Sequence, residues 1–130
     1  MAFEQHSRNY VLPQFVNESH SPSNTPINTV ADLIDFNADM NPNHLFCLQM
    51  TELSLGPPPR HITNQVFRDT ISVCQTWVLG HIREAQRPVT ASSGELLKGA
   101  PVAILMDSGL ELLIHLFALM GLGIPVRFPT

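Results

Sequence analysis

Hydrophobic positions are densest in the C-terminal part of the chain. Val102–Met106 is an unbroken apolar run, the pattern of a strand buried on both faces of a sheet. Leu110, Leu112, Leu113, Ile114, Leu116, Phe117, Leu119 and Met120 then make a helix that is apolar nearly all round, which predicts burial on most sides. Ser108 precedes this helix and Glu111 follows at the spacing of a capping box. Gly121 and Gly123 suit a C-terminal cap, and Ile124–Phe128 begins another strand. Strand, helix and strand make one β-α-β unit, expected to be parallel with a right-handed crossover.

Upstream the pattern is sparser. Residues 1–28 hold three prolines and many Ser, Asn and Gln with almost no periodicity, and read as a flexible N-terminal arm. Thr29 is placed to cap a helix, with Asp32 closing an acidic variant of the capping box. Val30, Leu33, Ile34 and Met40 recur at helical spacing, and Asn41-Pro42 ends the helix because a residue before proline avoids the α region. Leu45–Met50 reads as a strand, Gly56-Pro57-Pro58-Pro59 as a stiff connector, and Ile62 as part of a second short strand. Thr63 then caps the longest helix, residues 64–87, whose Phe67, Ile71, Cys74 and Val78 share one face. Trp77 and Ile82 are expected to widen that face. Pro88 ends the helix, and residues 88–100 form a loop around Ser92-Ser93-Gly94.

The run from Val102 to Val126 is long enough to suggest a membrane span. Asp107, Glu111, His115 and Pro125 interrupt it, and a charge at mid-bilayer costs at least ~2.5 kcal/mol, so a sheet explains it better. The N-terminus, MAFEQHSRNY, has no apolar stretch of signal-peptide type, and Asn17-Glu18-Ser19 is read as a chance match to a glycosylation pattern. The composition is 44% hydrophobic but only 14% charged, below the ~25% usual in soluble domains, so much of the surface is uncharged or meant to be covered. The net charge is −4, and no run of Lys or Arg points to nucleic acid or to a membrane surface. Cys47 and Cys74 form no disulfide framework and read as reduced, buried thiols of a cytoplasmic protein.

Candidate chemistry is thin. Of the six histidines, His6, His20, His44, His61, His81 and His115, no pair has the spacing of a metal-binding helix or finger. Glu111 and His115, four apart, can share a hydrogen bond, and a local polar pair on a packed helix accounts for them. Asp107-Ser108-Gly109 follows a strand, where α/β sheets bind ligands, and an Asp there can hold a metal or accept a phosphoryl group. Helix capping and the helix dipole account for the same residues. Gly121-Leu122-Gly123 follows a helix, not a strand, and so cannot cradle a phosphate as a strand-to-helix loop does.

The span Val102 to Val126 resembles the early β-α-β unit of AMP-dependent synthetases and ligases, the adenylate-forming (ANL) superfamily. In that family a strand ends at a small polar turn, and a helix carries a Glu near its start and an Ala-Leu pair near its end. A Gly turn then leads into a strand. Val102–Met106, Glu111, Ala118-Leu119 and Gly123 match these places. Thr29, Leu33, Phe36, Ala38 and Asn41-Pro42 resemble the first helix of the adenylation domain, and Thr63–Ala85 resembles a later one. The likeness covers roughly residues 25–127 and is closest in style to fungal adenylate-forming reductases and enzymes like non-ribosomal peptide synthetases. Gly99-Ala100-Pro101 departs from the Gly-Asp that many members carry.

The resemblance implies an α/β fold: the partial N-terminal portion of an adenylate-forming large domain, with a small parallel or mixed sheet, over residues 29–130. It implies an ancestry of acetyl-CoA synthetase-like ligases that activate carboxylic acids with ATP and Mg as acyl-adenylates. The family's phosphate loop with its Lys, adenine-binding segment, ribose-binding Asp and C-terminal catalytic Lys find no counterpart here. No catalytic, cofactor-binding or metal-binding residue is therefore carried over. Two functions are expected to compete. One is a truncated, inactive fragment of such an enzyme. The other is a non-catalytic interaction module that pairs with the missing remainder of an adenylation domain. A self-sufficient small α/β domain of receiver type fits less well, because it needs about five alternating strands and helices.

Overall fold

A computed structural model describes residues 10–12, 27–50, 56–86 and 101–128. The expected loop at 88–100, the possible glycosylation site and most of the N-terminal arm lie outside these residues. The chain divides into two compact units, Met1–Asp69 and Thr70–Thr130.

In the first unit, α1 (Val30–Met40) begins as the sequence predicts. Thr29 is the N-cap, its hydroxyl accepts the Asp32 N–H, and the Asp32 carboxylate accepts the Thr29 N–H, so two orphan donors are satisfied reciprocally. Asn28 N–H also donates to Asp32 Oδ2 at 3.0 Å. These bonds stabilise the ionised carboxylate and hold it below its usual range, the Asn28 contact contributing most.

The strands β1 (Leu45–Gln49) and β2 (Arg60–Thr63) pair antiparallel. A bulge between Leu45 and Cys47 gives Phe46 no opposite residue, and its ring instead stacks on Phe67 with centroids 3.8 Å apart. Helix α2 (Asn64–Gln86) starts where β2 ends, as expected. Its first N–H groups find partners close by: Asn64 N–H donates to His44 O, Gln65 N–H to Pro42 O, and Val66 N–H to Thr63 Oγ1. The boundary between the units falls within α2.

The buried set of the first unit includes two amides beside Ala38, Ile62 and Phe67. Asn41, only 1% exposed, exchanges both hydrogen bonds with the Val11 backbone: Val11 N–H donates to Oδ1 at 2.7 Å, and Nδ2 donates to Val11 O at 2.8 Å. Tyr10 OH donates to Asn37 Oδ1 at 2.6 Å, so residues 10–12 are tied to α1 even though their sequence shows no periodicity. Asn64 Nδ2 donates to Asn41 O at 3.0 Å. Both buried amides are thus paired, as burial of a polar group requires.

The second unit contains the predicted β-α-β unit: β3 (Val102–Ala103), α3 (Leu110–Gly121) and β4 (Val126–Arg127), with β3 and β4 parallel. Among the described residues there are thus two two-stranded sheets, one antiparallel and one parallel. Ile71, Cys74 and Val78 of α2 are buried as their spacing predicts, together with Ile104, Ala118 and Leu119. A Schellman motif closes α3, with Gly123 N–H donating to Met120 O and Ile124 N–H to Leu119 O, both at 3.0 Å. Gly123 has φ +69, where a side chain is strained.

Four expectations fail here. The strand expected over Val102–Met106 is a strand only at Val102 and Ala103, with one further ladder bond from Ile104 N–H to Arg127 O, and Leu105 is 81% exposed because no described element packs over it. The N-cap of α3 is Gly109, not Ser108, with no side-chain cap. The shift by one residue moves Glu111 from the third helical position to the second. The helix expected to be buried on most sides has only Ala118 and Leu119 buried, with Leu113 and Met120 exposed. Trp77, expected on the buried face of α2, is 55% exposed.

Candidate functional site

The second unit has an open, apolar groove of about 380 Å³. Trp77, Val78, His81 and Ile82 of α2, the run Val102 to Met106, and His115 and Leu119 of α3 line it.

Two histidines enter this groove in fixed tautomers. His81 Nδ1–H donates to Trp77 O at 2.9 Å, and His115 Nδ1–H donates to Glu111 O at 2.8 Å. Both bonds run back one helical turn, and each leaves Nε2 as the unprotonated nitrogen of the neutral ring. The indole of Trp77 lies between the rings, 4.0 Å from His81 and 6.1 Å edge-on from His115. The Trp77–His81 spacing of four residues is a legible helix-surface signal. Contact with His115, from a different helix, has none.

The other sequence candidates do not converge. The Glu111–His115 bond runs from the imidazole to the backbone carbonyl, which fits a local polar pair. Asp107 lies beyond the last ladder residue of β3 and is exposed, as is Ser108. His44 packs edge-on to Tyr10, and His61 lies in β2, while His6 and His20 fall outside the described residues. Cys47 and Cys74 are free thiols; Cys74 is buried as expected, whereas Cys47, on the two-stranded β1–β2 ladder, is only half-buried, and burial pushes both thiol pKa values up, so neither is a primed nucleophile.

Among the described residues no three His, Cys, Asp or Glu side chains gather as a metal site. No described helix is long and apolar enough to cross a membrane. What the groove can offer is apolar surface, one aromatic face and two imidazole nitrogens.

Comparison with known proteins supplies the context for such a groove. The chain is 37% identical over 114 residues to an adenylate-forming reductase of Aspergillus terreus, an alignment covering 85% of this chain and 11% of that protein. It is 35% identical over 118 residues to the non-ribosomal peptide synthetase ascB of Acremonium egyptiacum, covering 89% and 10%. It is 33% identical over 125 residues to the adenylate-forming reductase stbB of Stachybotrys bisbyi, covering 88% and 11%. No protein-family model matches the chain, and no solved structure matches it. The chain thus spans about a tenth of the length of these relatives. Within that span it belongs with the fungal adenylate-forming reductases and related non-ribosomal peptide synthetases.

Proposed function

We propose that this chain is a structural portion of the N-terminal part of an adenylate-forming large domain, and that alone it does not activate carboxylic acids. The observation that carries this reading is the uncovered apolar surface of the second unit. Leu105, Met106, Leu113 and Met120 stand in water around a helix whose sequence suits a covered position. Relatives roughly eight times the length of this chain carry a similar segment within chains that have ample further sequence to cover it. In the parent reaction, ATP with Mg would convert a carboxylic acid to an acyl-adenylate, and the groups for that step would come from outside the described residues. A cytoplasmic setting, which keeps Cys47 and Cys74 reduced, accompanies the proposal.

A second reading shares the same support: the chain is a separate module that pairs with an adenylation segment supplied by another polypeptide. The exchange of pyrophosphate into ATP, measured for purified residues 1–130 with a panel of carboxylic acids, tests the first reading. No exchange above background is expected, and robust exchange would refute it. Co-expression with a downstream adenylation segment tests the second, which expects a gain in soluble yield and fails if the yield does not change.

A further inference from the structure

We infer that Asn37, Asn41 and His44 form a recognition site for an extended, tyrosine-bearing peptide, and that Tyr10-Val11-Leu12 occupies this site as a built-in ligand. The inference lies in the first unit and does not depend on the scaffold reading above.

The receptor side is fixed by bonds that do not involve residues 10–12. Asn41 is the C-cap of α1, and its N–H donates to Asn37 O at 2.9 Å. Its carbonyl accepts from His44 N–H at 3.2 Å and from Asn64 Nδ2 at 3.0 Å. A backbone anchored in this way presents its side-chain amide already oriented, which lowers the cost of binding. The amide offers an acceptor and a donor side by side. Val11 meets both, its N–H donating to Oδ1 at 2.7 Å and its carbonyl accepting from Nδ2 at 2.8 Å. Two residues opposite each other in an antiparallel ladder exchange their bonds in the same reciprocal manner. The amide therefore reads the backbone of any extended residue except proline, which has no N–H. Selectivity comes from the residue before it. Tyr10 OH donates to Asn37 Oδ1 at 2.6 Å, and the Tyr10 ring stands edge-on to His44 with centroids 5.1 Å apart.

Residues 10–12 are held as a ligand is held, and not as part of a core. Leu12 is 74% exposed, and Tyr10 and Val11 are exposed as well, so buried apolar area contributes little. The attachment rests on hydrogen bonds to Asn37 and Asn41, each with a net worth of about 1 kcal/mol. A segment held so lightly opens while the rest of the fold stays closed. The site then takes a second peptide of the same chemistry, a tyrosine followed by a residue with its N–H and C=O free. That peptide competes with a tethered rival whose effective concentration is about millimolar.

The test protein is the full chain carrying Val11→Pro, which keeps every receptor residue and removes the N–H that Asn41 Oδ1 accepts. The chain is immobilised, and a synthetic peptide of residues 7–14 is passed over it up to millimolar concentration, with binding read by surface plasmon resonance. Saturable binding is expected, about tenfold tighter than to the wild-type chain, whose own segment competes. Tyr10→Phe in the peptide should weaken binding about fivefold, the worth of one hydrogen bond. Val11→Pro in the peptide should abolish it. Tyr10→Ala in the full chain should open the same site, and it replaces Val11→Pro if that variant loses the circular dichroism spectrum of the wild type.

Absence of binding of the unaltered peptide to both opened chains overturns the recognition site. Equal binding of the peptide carrying Val11→Pro overturns the reading of backbone by Asn41. Equal affinity of the peptide for wild-type and opened chains overturns the occupancy of the site by residues 10–12.

Discussion

The two units of this chain solve the problem of covering themselves differently. The first has few buried residues, yet its polar groups close on one another. Thr29 and Asp32 cap α1, Asn41 holds Val11, and Asn64 holds the carbonyl of Asn41. The second is richer in large apolar side chains and buries more of them, yet both units leave several in water, Leu12 and Met50 in the first and Val73, Trp77 and Leu105 in the second. Hydrophobic content is therefore a poor measure of self-sufficiency here. What distinguishes the first unit is that its buried amides are satisfied within it.

That contrast can be broken most directly at Phe67. Its ring is buried against Phe46, and Phe67→Ala should destabilise the first unit by roughly 3–5 kcal/mol in a urea titration followed by circular dichroism. A loss below about 1 kcal/mol would show that the first unit does not depend on its own core. Gly123→Ala comes next, at about 1–2 kcal/mol, because a Cβ is placed at φ +69. An unchanged midpoint would mean that the cap of α3 contributes nothing in the isolated chain.

Thr29→Ala should cost about 1 kcal/mol through the lost N-cap. Acidification attacks the same cap from its other side. The folded Asp32 carboxyl is held below its ordinary 3.8, so it stabilises the fold above that value and the contribution fades as pH falls through the lower, folded value. A titration of α1 helicity between neutral pH and strong acid should therefore show a fall that Asp32→Asn removes. The smallest effect on stability belongs to Leu105→Gln, within about 0.5 kcal/mol, since the side chain is 81% exposed. Its soluble yield should nevertheless rise, and if it does not, the exposed run is not what limits the isolated chain.

Periodicity made the three helices, the first strand pair and the parallel β-α-β unit legible in the sequence, because each element announces itself locally. The capping box at Thr29 was readable for the same reason. At Ser108 the same motif misled: a glycine stood one residue later and took the cap. The apolar run at 102–106 reports the burial for which the segment is suited, and in this chain the neighbours that would cover it are not among the described residues. Trp77 was misplaced because it lies beside the buried face of α2, where helical spacing alone does not separate the edge of a stripe from its centre. Its approach to His115 joins two helices and leaves no mark in either one's pattern.

Asn41 also bears on how the molecule ages. Asparagine amides are lost when the backbone nitrogen of the next residue attacks the side-chain carbon, and that nitrogen must carry a hydrogen. Here the next residue is Pro42, whose nitrogen has none. Conversion to aspartate would replace the Nδ2 donor with a second oxygen facing Val11 O, and the clasp on the Val11 backbone would become a repulsion. The proline that stops α1 thus also shields the amide that fastens the preceding segment to it.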